Sequence, residues 1–346
     1  MISVKNFGAV GDGVKDDTAA FQAAQDAAHG DFVEVPPGRY CVKSIVTDKP
    51  IKFFGTGWQT SIIKALTPDQ DVFTTTSTGQ CFLDKLGFIA DAPRTGGAYV
   101  KFDTAQGYNY GSRISECNFD SGFVGINFVD AAGWVTSGCY FTSNRTAVQI
   151  ANQNLPDAGD SSITESIFDA GVAQGIGILQ NSSGGLRVTN NKFLNGTYHY
   201  LGEFNSLSST SILILSGNSF EWASQVNVAL TSRNMTTFNH VVIDGNEFSV
   251  SPATTALLLQ DPGYEYLSDV VIGNNAFNQT ANSTGMALAR GKAVTVSTNT
   301  FVGSTQTTGI SFGSRIGSAY VLPQNMQGIT TKYAGVNSRV VFPVKP

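Results

Sequence analysis

Two acidic residues, Asp169 and Glu221, could together cleave a glycosidic bond. Each directly follows a phenylalanine in a repeated sequence pattern. Glycoside hydrolysis needs one carboxyl group to protonate the leaving oxygen and a second to activate water or attack carbon. If one repeat lies between the two acids in a stack of β-coils, they are about 9–10 Å apart before the side chains reach inward. Inverting enzymes use a spacing of about 6.5–9.5 Å, and Asp120 has the same spacing from Asp169.

Residues near these acids could bind the substrate. Trp222 directly follows Glu221, and the C–H faces of a sugar stack on aromatic rings. Glu203 ends the segment TYHYLGEF, and it is a third candidate for catalysis if that segment forms the floor of a groove. Further candidate binding residues are Tyr198, His199, Tyr200, Arg233, Tyr264 and Tyr266.

His199 supports a different chemistry. A polysaccharide lyase needs a base for the proton beside a uronate carboxylate, often with Tyr as the acid and Arg or Lys to neutralise the carboxylate. Tyr198 and Tyr200 flank His199, and Arg187 or Arg233 is predicted to lie one coil away. The sequence therefore leaves both hydrolysis and elimination open.

The longer loops carry residues suited to binding. Tyr264 and Tyr266 lie in QDPGYEYLSD and are predicted to be exposed sugar platforms, with packing inside their own loop as the alternative. Four acids are also predicted in loops: Asp157, Asp160, Asp261 and Glu265. Because loops often carry binding residues, we expect these acids to contact a glycan rather than cut it.

A repeat from residue 112 onward must position these side chains. Its aligned phenylalanines are Phe119, Phe141, Phe168, Phe193, Phe220, Phe248, Phe277 and Phe301, which are 22, 27, 25, 27, 28, 29 and 24 residues apart. A period near 26 is too short for a four-stranded propeller blade, and the alternating β-branched pattern argues against helical repeats. The repeat predicts an all-β solenoid, a parallel β-helix with three short strands per coil and an internal stack of Phe rings. A β-sandwich with regular turns is the alternative.

Asparagine recurs two residues before the phenylalanine. The positions are Asn191, Asn218, Asn246, Asn275 and Asn299, and the earlier repeats have Cys117, Cys139 and Ser166 there. Asn tolerates the left-handed conformation of a tight corner, and stacked amides can hydrogen-bond from coil to coil. We therefore expect an amide ladder that small residues replace in the first coils.

The two ends of a solenoid must be capped. Residues 1–50 are predicted to form a capping segment that contains a helix over about residues 18–28. Asp17 is expected to cap this helix, and Phe21, Ala24 and Ala28 share one face of it. Residues 51–312 are predicted to form the β-helix. The tail, residues 313–346, departs from the repeat and is predicted to be a second cap or an oligomer contact.

Composition excludes several classes of function. The net charge is −5 and charged residues are 14% of the chain, which argues against nucleic-acid binding. Apolar residues are 41%, which argues against disorder. The chain contains no run of about 18 apolar residues that would predict a membrane span, and no leader peptide is visible.

The four cysteines lack metal or redox spacing and are predicted to be small buried hydrophobes: Cys41, Cys81, Cys117 and Cys139. We expect no metal and no cofactor.

The segment VKNFGAVGDGVKDDTAAFQAA, residues 4–24, closely resembles the entry segment of the pectate-lyase-like superfamily. That group includes polygalacturonases, related lyases and epimerases, and many bacteriophage tailspikes. The resemblance implies a right-handed parallel β-helix over nearly the whole chain. The segment is specific for fold and poor for chemistry, since hydrolases, lyases and non-catalytic binders share it. Within it, Asp12, Asp16 and Asp17 look like loop and capping groups.

The chain lacks the Asn-Thr-Asp, Asp-Asp, Gly-His-Gly and Arg-Ile-Lys signatures of polygalacturonases and an Asp-rich calcium cluster like that of pectate lyases. It is therefore most similar to the tailspike group. This similarity implies a homotrimer, in a virion tail or outside the cell, that binds and usually cuts a bacterial capsule or O-antigen polysaccharide. Other phage tail proteins are then possible partners. The alternatives are a non-catalytic receptor-binding spike, a polysaccharide lyase and a secreted pectinase relative.

Overall fold

The computed structural model describes residues 2–104, 109–151, 159–171, 175–181, 185–204, 212–232, 237–260 and 266–343. For Ser232, Thr237, Phe238 and Tyr266 it describes the backbone only. Three long sheets, here named A, B and C, run along the molecule with 14, 13 and 12 strands. Within each sheet, neighbouring strands pair in parallel and come from successive coils.

The strands are short, as expected for a coil that turns a corner every few residues. Sheet A contains Ile2–Ser3, Val33–Val35, Lys52–Gly55, Phe82–Asp84, Arg113–Ser115, Val135–Ser137, Ser161–Thr164, Leu186–Thr189, Leu213–Ser216, Thr237–Asp244, Tyr266–Gly273, Val294–Ser297, Ala319–Val321 and Val340–Val341. Sheet B contains Asp12–Asp16, Gly38–Val42, Ser61–Ala65, Gly87–Ile89, Asn118–Asp120, Tyr140–Thr142, Ile167–Asp169, Lys192–Leu194, Ser219–Glu221, Glu247–Val250, Ala276–Gln279, Thr300–Val302 and Asn325–Gln327. Sheet C contains Ile45–Thr47, Phe73–Thr75, Ala98–Asp103, Val124–Val129, Thr146–Ile150, Ile176–Gln180, Tyr198–Phe204, Val226–Ser232, Thr255–Gln260, Thr284–Gly291, Thr308–Ile316 and Thr331–Ala334. Asn109–Tyr110 and Ala131–Ala132 form a small fourth sheet.

This arrangement confirms the predicted all-β, right-handed parallel β-helix of about 26 residues per coil. Along most strands of sheets A and B, alternate residues face the interior and are buried, which is the period of two that strand geometry imposes. Because each coil buries its apolar side chains against the coils above and below it, the core is one continuous column along the axis.

The phenylalanines stack inside sheet B, as predicted. Neighbouring rings from Phe119 to Phe301 have centroids 4.5–5.1 Å apart, close to the spacing of about 4.8 Å between strands. Phe88 extends the stack by one ring, 4.9 Å from Phe119. Ile63 and Met326 occupy the same register position at the two ends of the stack. Each buried ring contributes roughly 1.5–3 kcal/mol to folding.

The asparagine ladder is also confirmed, and it forms at the corner between sheets A and B. In each step the side-chain carbonyl accepts the backbone N–H and the amide N–H of the preceding Asn, as between Asn191 and Asn218 at 3.0 and 3.1 Å. Gln324 continues the ladder beyond Asn299. Ser166 accepts from the backbone of Cys139 at the other end.

The predicted conformation of these asparagines was wrong by one residue. The left-handed residue at each of these corners directly precedes the ladder Asn, and these residues are Asn190, Gly217, Gly245, Asn274 and Thr298. The ladder Asn is the last residue before the next strand, and its side-chain amide hydrogen-bonds to the neighbouring coil. At each corner, therefore, one residue turns the backbone and the next residue forms the hydrogen bonds between coils.

A helix, Thr18–Ala28, covers the first coil. Phe21 is fully buried and packs on Phe53 and Tyr40 at centroid distances of 5.6 and 5.4 Å. The prediction that the Asp17 side chain caps this helix was wrong. Its carboxylate instead accepts the backbone N–H groups of Val10 and Gly11 at 2.7 and 3.0 Å, and so fixes the entry loop against the helix.

The C-terminal segment continues the three sheets. Gly313 lies inside the sheet C strand Thr308–Ile316, and later strands extend sheets A, B and C by at least one coil. Likewise, residues before 50 already supply strands to all three sheets. The sheets therefore run without interruption through residues 50 and 312, the predicted boundaries of the β-helix.

The four cysteines are buried, free thiols, in line with the prediction. Burial raises the pKa of Cys139 to about 12 and that of Cys117 well above its usual value. Within the described ranges, no helix is long and apolar enough to cross a membrane. Nor do the described residues contain a cluster of three or more His, Cys, Asp or Glu side chains that could hold a metal ion.

Candidate functional site

The acids predicted to share one column do so. On the outer face of sheet B, the residue after each Phe pairs with its counterpart one coil away, and Asp169 pairs with Leu194, which pairs with Glu221. Asp120 and Asp169 are related in the same way across Thr142. Adjacent strands are about 4.8 Å apart, so the backbones of Asp169 and Glu221 are separated by about 9–10 Å.

Glu221 faces outward and is partly exposed. Its Oε1 accepts a hydrogen bond from the Ser219 hydroxyl at 3.0 Å and pairs with the Lys192 ammonium at 3.3 Å. Lys192 lies on the preceding coil, where it pairs with Ser219 across the sheet. The carboxylate is thus oriented by one neutral and one cationic donor, while part of it still reaches solvent.

Asp169 is held by the turn that follows its own strand. Its Oδ1 accepts the Asn195 side-chain amide at 3.0 Å and the backbone N–H of Gly171 at 3.1 Å. Asn195 belongs to the next coil, so this contact links Asp169 to the coil that lies between the two acids. Both donors are neutral, and no cation forms an ion pair with Asp169 among the described residues.

Trp222 directly follows the strand that carries Glu221 and is half exposed, at 50% of its surface. Its backbone is left-handed, with φ of 66°, and its N–H donates to the Ser249 carbonyl on the next coil at 3.2 Å. A bulky residue in this conformation is uncommon. The arrangement places a large aromatic side chain in solvent directly beside an acid.

His199 and Tyr200 are not accessible to a glycan, which corrects the prediction that they line the binding surface. They are 2% and 0% exposed. The His199 ring packs beside Phe193 and Phe220 inside the coil. Its Nε2 donates to the Asn195 carbonyl at 2.7 Å, and its Nδ1 accepts from an Asn227 amide at 3.2 Å. Burial lowers the pKa of His199 to about 4. His199 is therefore a buried, neutral imidazole and not the exposed base that elimination requires.

Glu203 and Tyr198 lie on sheet C, around the corner from the acids of sheet B. The Tyr198 hydroxyl donates to Gln225 on the next coil. Glu203 pairs with Thr231 and stands near the end of its strand. Glu203 is therefore on a different face of the solenoid from Asp169 and Glu221. Arg187, the proposed cation of a lyase site, is exposed on sheet A.

Several predicted binding residues lie outside the described part of the chain. Arg233 and Tyr264 are among them, and the loop acids there are Asp157, Asp261 and Glu265. Tyr266 begins a sheet A strand, but its side chain is outside the description. Asp160 is described and has a left-handed backbone just before a sheet A strand.

Sequence reasoning missed one pair of aromatic residues on the same face. Trp58 is 38% exposed and its ring lies over that of Tyr140, with centroids 6.4 Å apart and planes within 11°. The two residues are 82 positions apart in the chain. Trp58 lies outside the repeat, in the turn-rich segment GTGWQT. An exposed Trp in a glycine-containing turn was the only local signal.

Residues 1–80 match the family model described as rhamnogalacturonase A/epimerase, pectate lyase-like. This match confirms the resemblance of the entry segment. Curated relatives match over short stretches. Mannuronan C5-epimerase AlgE1 of Azotobacter vinelandii is 63% identical over 43 residues, which are 12% of this chain and 3% of that protein. AlgE2 of the same organism is 42% identical over 82 residues, or 20% of this chain and 8% of that protein.

Solved structures match over almost the whole chain at low sequence identity. The A-module of A. vinelandii mannuronan C-5 epimerase AlgE4 has a TM-score of 0.71 at 16% identity, covering 99% of this chain and 100% of that one. The Streptococcus pneumoniae surface adhesin PfbA has a TM-score of 0.73 at 18% identity, covering 99% of each chain. The tailspike protein of Escherichia coli bacteriophage HK620, solved with a pentasaccharide, has a TM-score of 0.67 at 14% identity, covering 92% of this chain and 66% of that one. These likenesses establish the fold.

Proposed function

We propose that the protein binds a polysaccharide along the outer face of sheet B and hydrolyses it with Asp169 and Glu221. The observation that carries this proposal is the register of the strands, which sets the two carboxyl groups two coils apart in one outward column. That separation suits an inverting mechanism, in which a water molecule lies between the base and the sugar. The half-exposed Trp222 ring beside Glu221 supplies a surface on which a sugar can stack.

The two acids differ in their surroundings, and this suggests their roles. The Lys192 ammonium pairs with Glu221, which suits Glu221 to activate water as the ionised base. Asp169 receives only neutral N–H donors, and it is assigned the role of proton donor to the leaving oxygen. In this mechanism water attacks the anomeric carbon and gives a proton to Glu221, while the glycosidic bond breaks and the leaving oxygen takes the proton of Asp169.

The biological setting that we propose is a bacteriophage tailspike or a related extracellular depolymerase. The supporting observation is the match of 92% of this chain to a tailspike solved with a pentasaccharide. The substrate would then be a capsule or O-antigen polysaccharide. The active form would be a homotrimer, in which contact between copies protects part of the solenoid surface. Other tail proteins would be its partners in a virion.

A receptor-binding spike without catalysis is the second candidate. One observation favours it: Asp169 and Glu221 both take part in local contacts, with Asn195 and Lys192 respectively, and such contacts also occur at purely structural acids. A lyase is less well supported, because His199 is buried.

One experiment separates these functions. The protein is incubated with a panel of capsular and O-antigen polysaccharides, and new reducing ends and absorbance near 235 nm are followed together. Reducing ends without absorbance support hydrolysis, whereas both signals together indicate elimination. Binding in a pull-down with neither signal indicates a receptor module, and an absence of both binding and products contradicts the proposal.

A further inference from the structure

Trp58 is carried by a turn that the chain holds firmly. In this turn, residues 56–61, the Gly57 carbonyl accepts the backbone N–H groups of Thr60 and Ser61 at 2.9 and 2.8 Å. The hydroxyl groups of Thr56 and Thr60 also bond to each other at 2.9 Å. The Thr60 carbonyl accepts the N–H of Gly38 from the coil below. An exposed Trp at this position is therefore presented by an ordered turn.

The turn lies against the outer face of sheet B at Gly87. A Cβ atom on Gly87 would be 2.2 Å from the Trp58 carbonyl oxygen, so only glycine allows the turn to approach this closely. In the register of sheet B, Gly87 pairs with Asn118, which pairs with Tyr140. Because the Trp58 backbone lies at Gly87 and its ring beside that of Tyr140, its side chain spans the strand of Asn118. Asn118 is accordingly buried although it lies on the outer face. The indole thus extends along the helix axis and reaches Tyr140.

The two rings form a nearly parallel aromatic surface next to the acid column. Tyr140 and Thr142 are on one strand, two residues and therefore about 6–7 Å apart. Thr142 is the residue that lies between Asp120 and Asp169 in the column. The aromatic surface is consequently on the side of Asp169 opposite to Glu221 and Trp222, on the same face of the solenoid.

The charge of this face favours an uncharged ligand. Among the described residues, the cations of its outward columns are already paired. Arg39 and Lys64 share Asp91, at 3.3 and 2.5 Å, and Lys192 pairs with Glu221 at 3.3 Å. Asp120 and Asp169 form no ion pair in the described ranges. A face with unpaired carboxylates and paired ammonium groups repels a uronate polymer and accepts a neutral sugar.

We propose that Trp58 and Tyr140 form a second carbohydrate subsite, which stacks a neutral pyranose ring of a glycan that runs parallel to the solenoid axis towards Trp222. This inference deepens the proposed function, since it names the class of glycan and the direction in which it is bound. A pair of nearly parallel, partly exposed aromatic rings is well suited to the C–H face of a pyranose. A glycan bound in this direction passes Asp169 between the two tryptophans.

Affinity electrophoresis in native gels tests the subsite. The gels contain dextran, mannan, a β-1,3-glucan or a neutral O-antigen polysaccharide, or alginate or polygalacturonate as acidic polymers. The neutral polymers are run with protein that carries Asp169→Asn and Glu221→Gln, so that they are not cut. The acidic polymers are run with the unmodified protein, which keeps the carboxylates that should repel them. We expect retardation by at least one neutral polymer, a loss of affinity of roughly 10-fold in Trp58→Ala, and a loss of less than about 3-fold in Trp58→Phe, which keeps a stacking ring.

Gly87→Ala provides a variant that keeps both rings. The added methyl group displaces the Trp58 carbonyl, so we expect it to weaken retardation about as much as Trp58→Ala while circular dichroism still reports a folded β-solenoid. Unchanged affinity in Trp58→Ala, retardation by acidic polymers alone, or no retardation by any polymer overturns the proposal.

The outcome is separable from that for hydrolysis. Reducing ends are measured with the unmodified protein on the polymer that binds. Loss of binding in Trp58→Ala without any reducing ends from the unmodified protein supports the subsite and contradicts hydrolysis. Reducing ends together with unchanged binding in Trp58→Ala support hydrolysis and overturn the subsite.

Discussion

The side-chain carbonyl of Asn246 accepts two hydrogen bonds from Asn218, one from its backbone N–H at 3.0 Å and one from Nδ2 at 2.9 Å. The amide of Asn246 in turn donates to Asn275 at 3.0 Å and to the Leu215 carbonyl at 2.8 Å. Each Asn of the ladder therefore satisfies polar groups on the coils before and after its own, and the removal of one side chain leaves buried donors of a neighbour without acceptors.

We expect Asn246→Ala to lower the free energy of unfolding by about 2–4 kcal/mol, because two buried N–H donors of Asn218 lose their acceptor. Chemical denaturation followed by circular dichroism measures the change. Asn278→Ala is the matched control, because Asn278 is exposed and bonds only to Glu247 in the described structure; its effect should stay within about 0.5 kcal/mol. Equal effects of the two substitutions would argue against a structural role for the ladder.

The phenylalanine stack should be sensitive to the loss of one ring. Phe248 packs between Phe220 and Phe277 with centroid distances of 5.0 and 4.8 Å. Phe248→Ala is expected to cost about 3–5 kcal/mol, since it removes buried apolar surface and leaves a cavity. Phe7, which is partly exposed, provides the control, and Phe7→Ala should cost no more than about 1 kcal/mol. The same denaturation experiment measures both, and a loss below about 1 kcal/mol in Phe248→Ala would contradict the predicted role of the stack.

His199 should make the protein sensitive to acid. Burial lowers its pKa in the folded protein to about 4, from an ordinary value of 6.5, so folding favours the neutral ring. This contribution is fully present above pH 6.5 and is lost as the pH falls through 4; its size is about 3 kcal/mol. We expect His199→Gln, which cannot titrate, to lose less stability than the unmodified protein between about pH 7 and pH 4.

Urea denaturation of both proteins at a series of pH values measures this difference. The carboxyl groups titrate in both proteins, so their contribution cancels when the two stability curves are compared. Parallel stability curves for His199→Gln and the unmodified protein would show that the imidazole does not titrate on unfolding, contrary to the prediction.

The cysteine thiols should be unreactive in the folded protein. All four are buried, and burial raises the pKa of Cys139 to about 12, so the reactive thiolate is scarce at about pH 8. We expect Ellman's reagent to label essentially no thiol in the native state and all four thiols in guanidinium chloride. Rapid labelling of even one cysteine in native protein would contradict the burial described above.

The catalytic assignment predicts a large effect from two isosteric substitutions. Asp169→Asn and Glu221→Gln should each lower the rate of reducing-end formation by about 100-fold or more, as general acid and base groups commonly contribute. Glu247→Gln is the matched control, because Glu247 is an exposed acid on the neighbouring sheet B strand; it should keep at least half of the activity. Full activity in both Asp169→Asn and Glu221→Gln would remove these residues from the mechanism.

The sequence predicted the fold and the column of acids because both follow from the repeat. A side chain in register with Phe168 and Phe220 must lie in one column if those rings stack, so the relation between Asp169 and Glu221 follows from the repeat alone. The left-handed corner residue was misplaced because Asn is common at both of the adjacent positions, as Asn190 and Asn191 illustrate. Propensity alone does not separate a residue that turns the backbone from one that bonds to the next coil.

The orientation of His199 could not be derived from alternation. In sheet C the strands bend at their second residue, so the pairing passes from Tyr198 with Val226 to Tyr200 with Val228 and omits His199. Both His199 and Tyr200 consequently face inward. Most coils have Gly or Ala at this bend, as at Gly177, and the imidazole occupies a space that other coils leave to smaller residues.

Coil length and ring spacing are independent in this molecule. Successive phenylalanines are between 22 and 29 residues apart, yet their rings keep one spacing. Extra residues are therefore accommodated sideways, in the connections between sheets, and not along the axis. An insertion in such a connection would widen the solenoid locally and alter the surface that we propose binds a glycan, while the rise from Asp169 to Glu221 would stay fixed by two strand spacings.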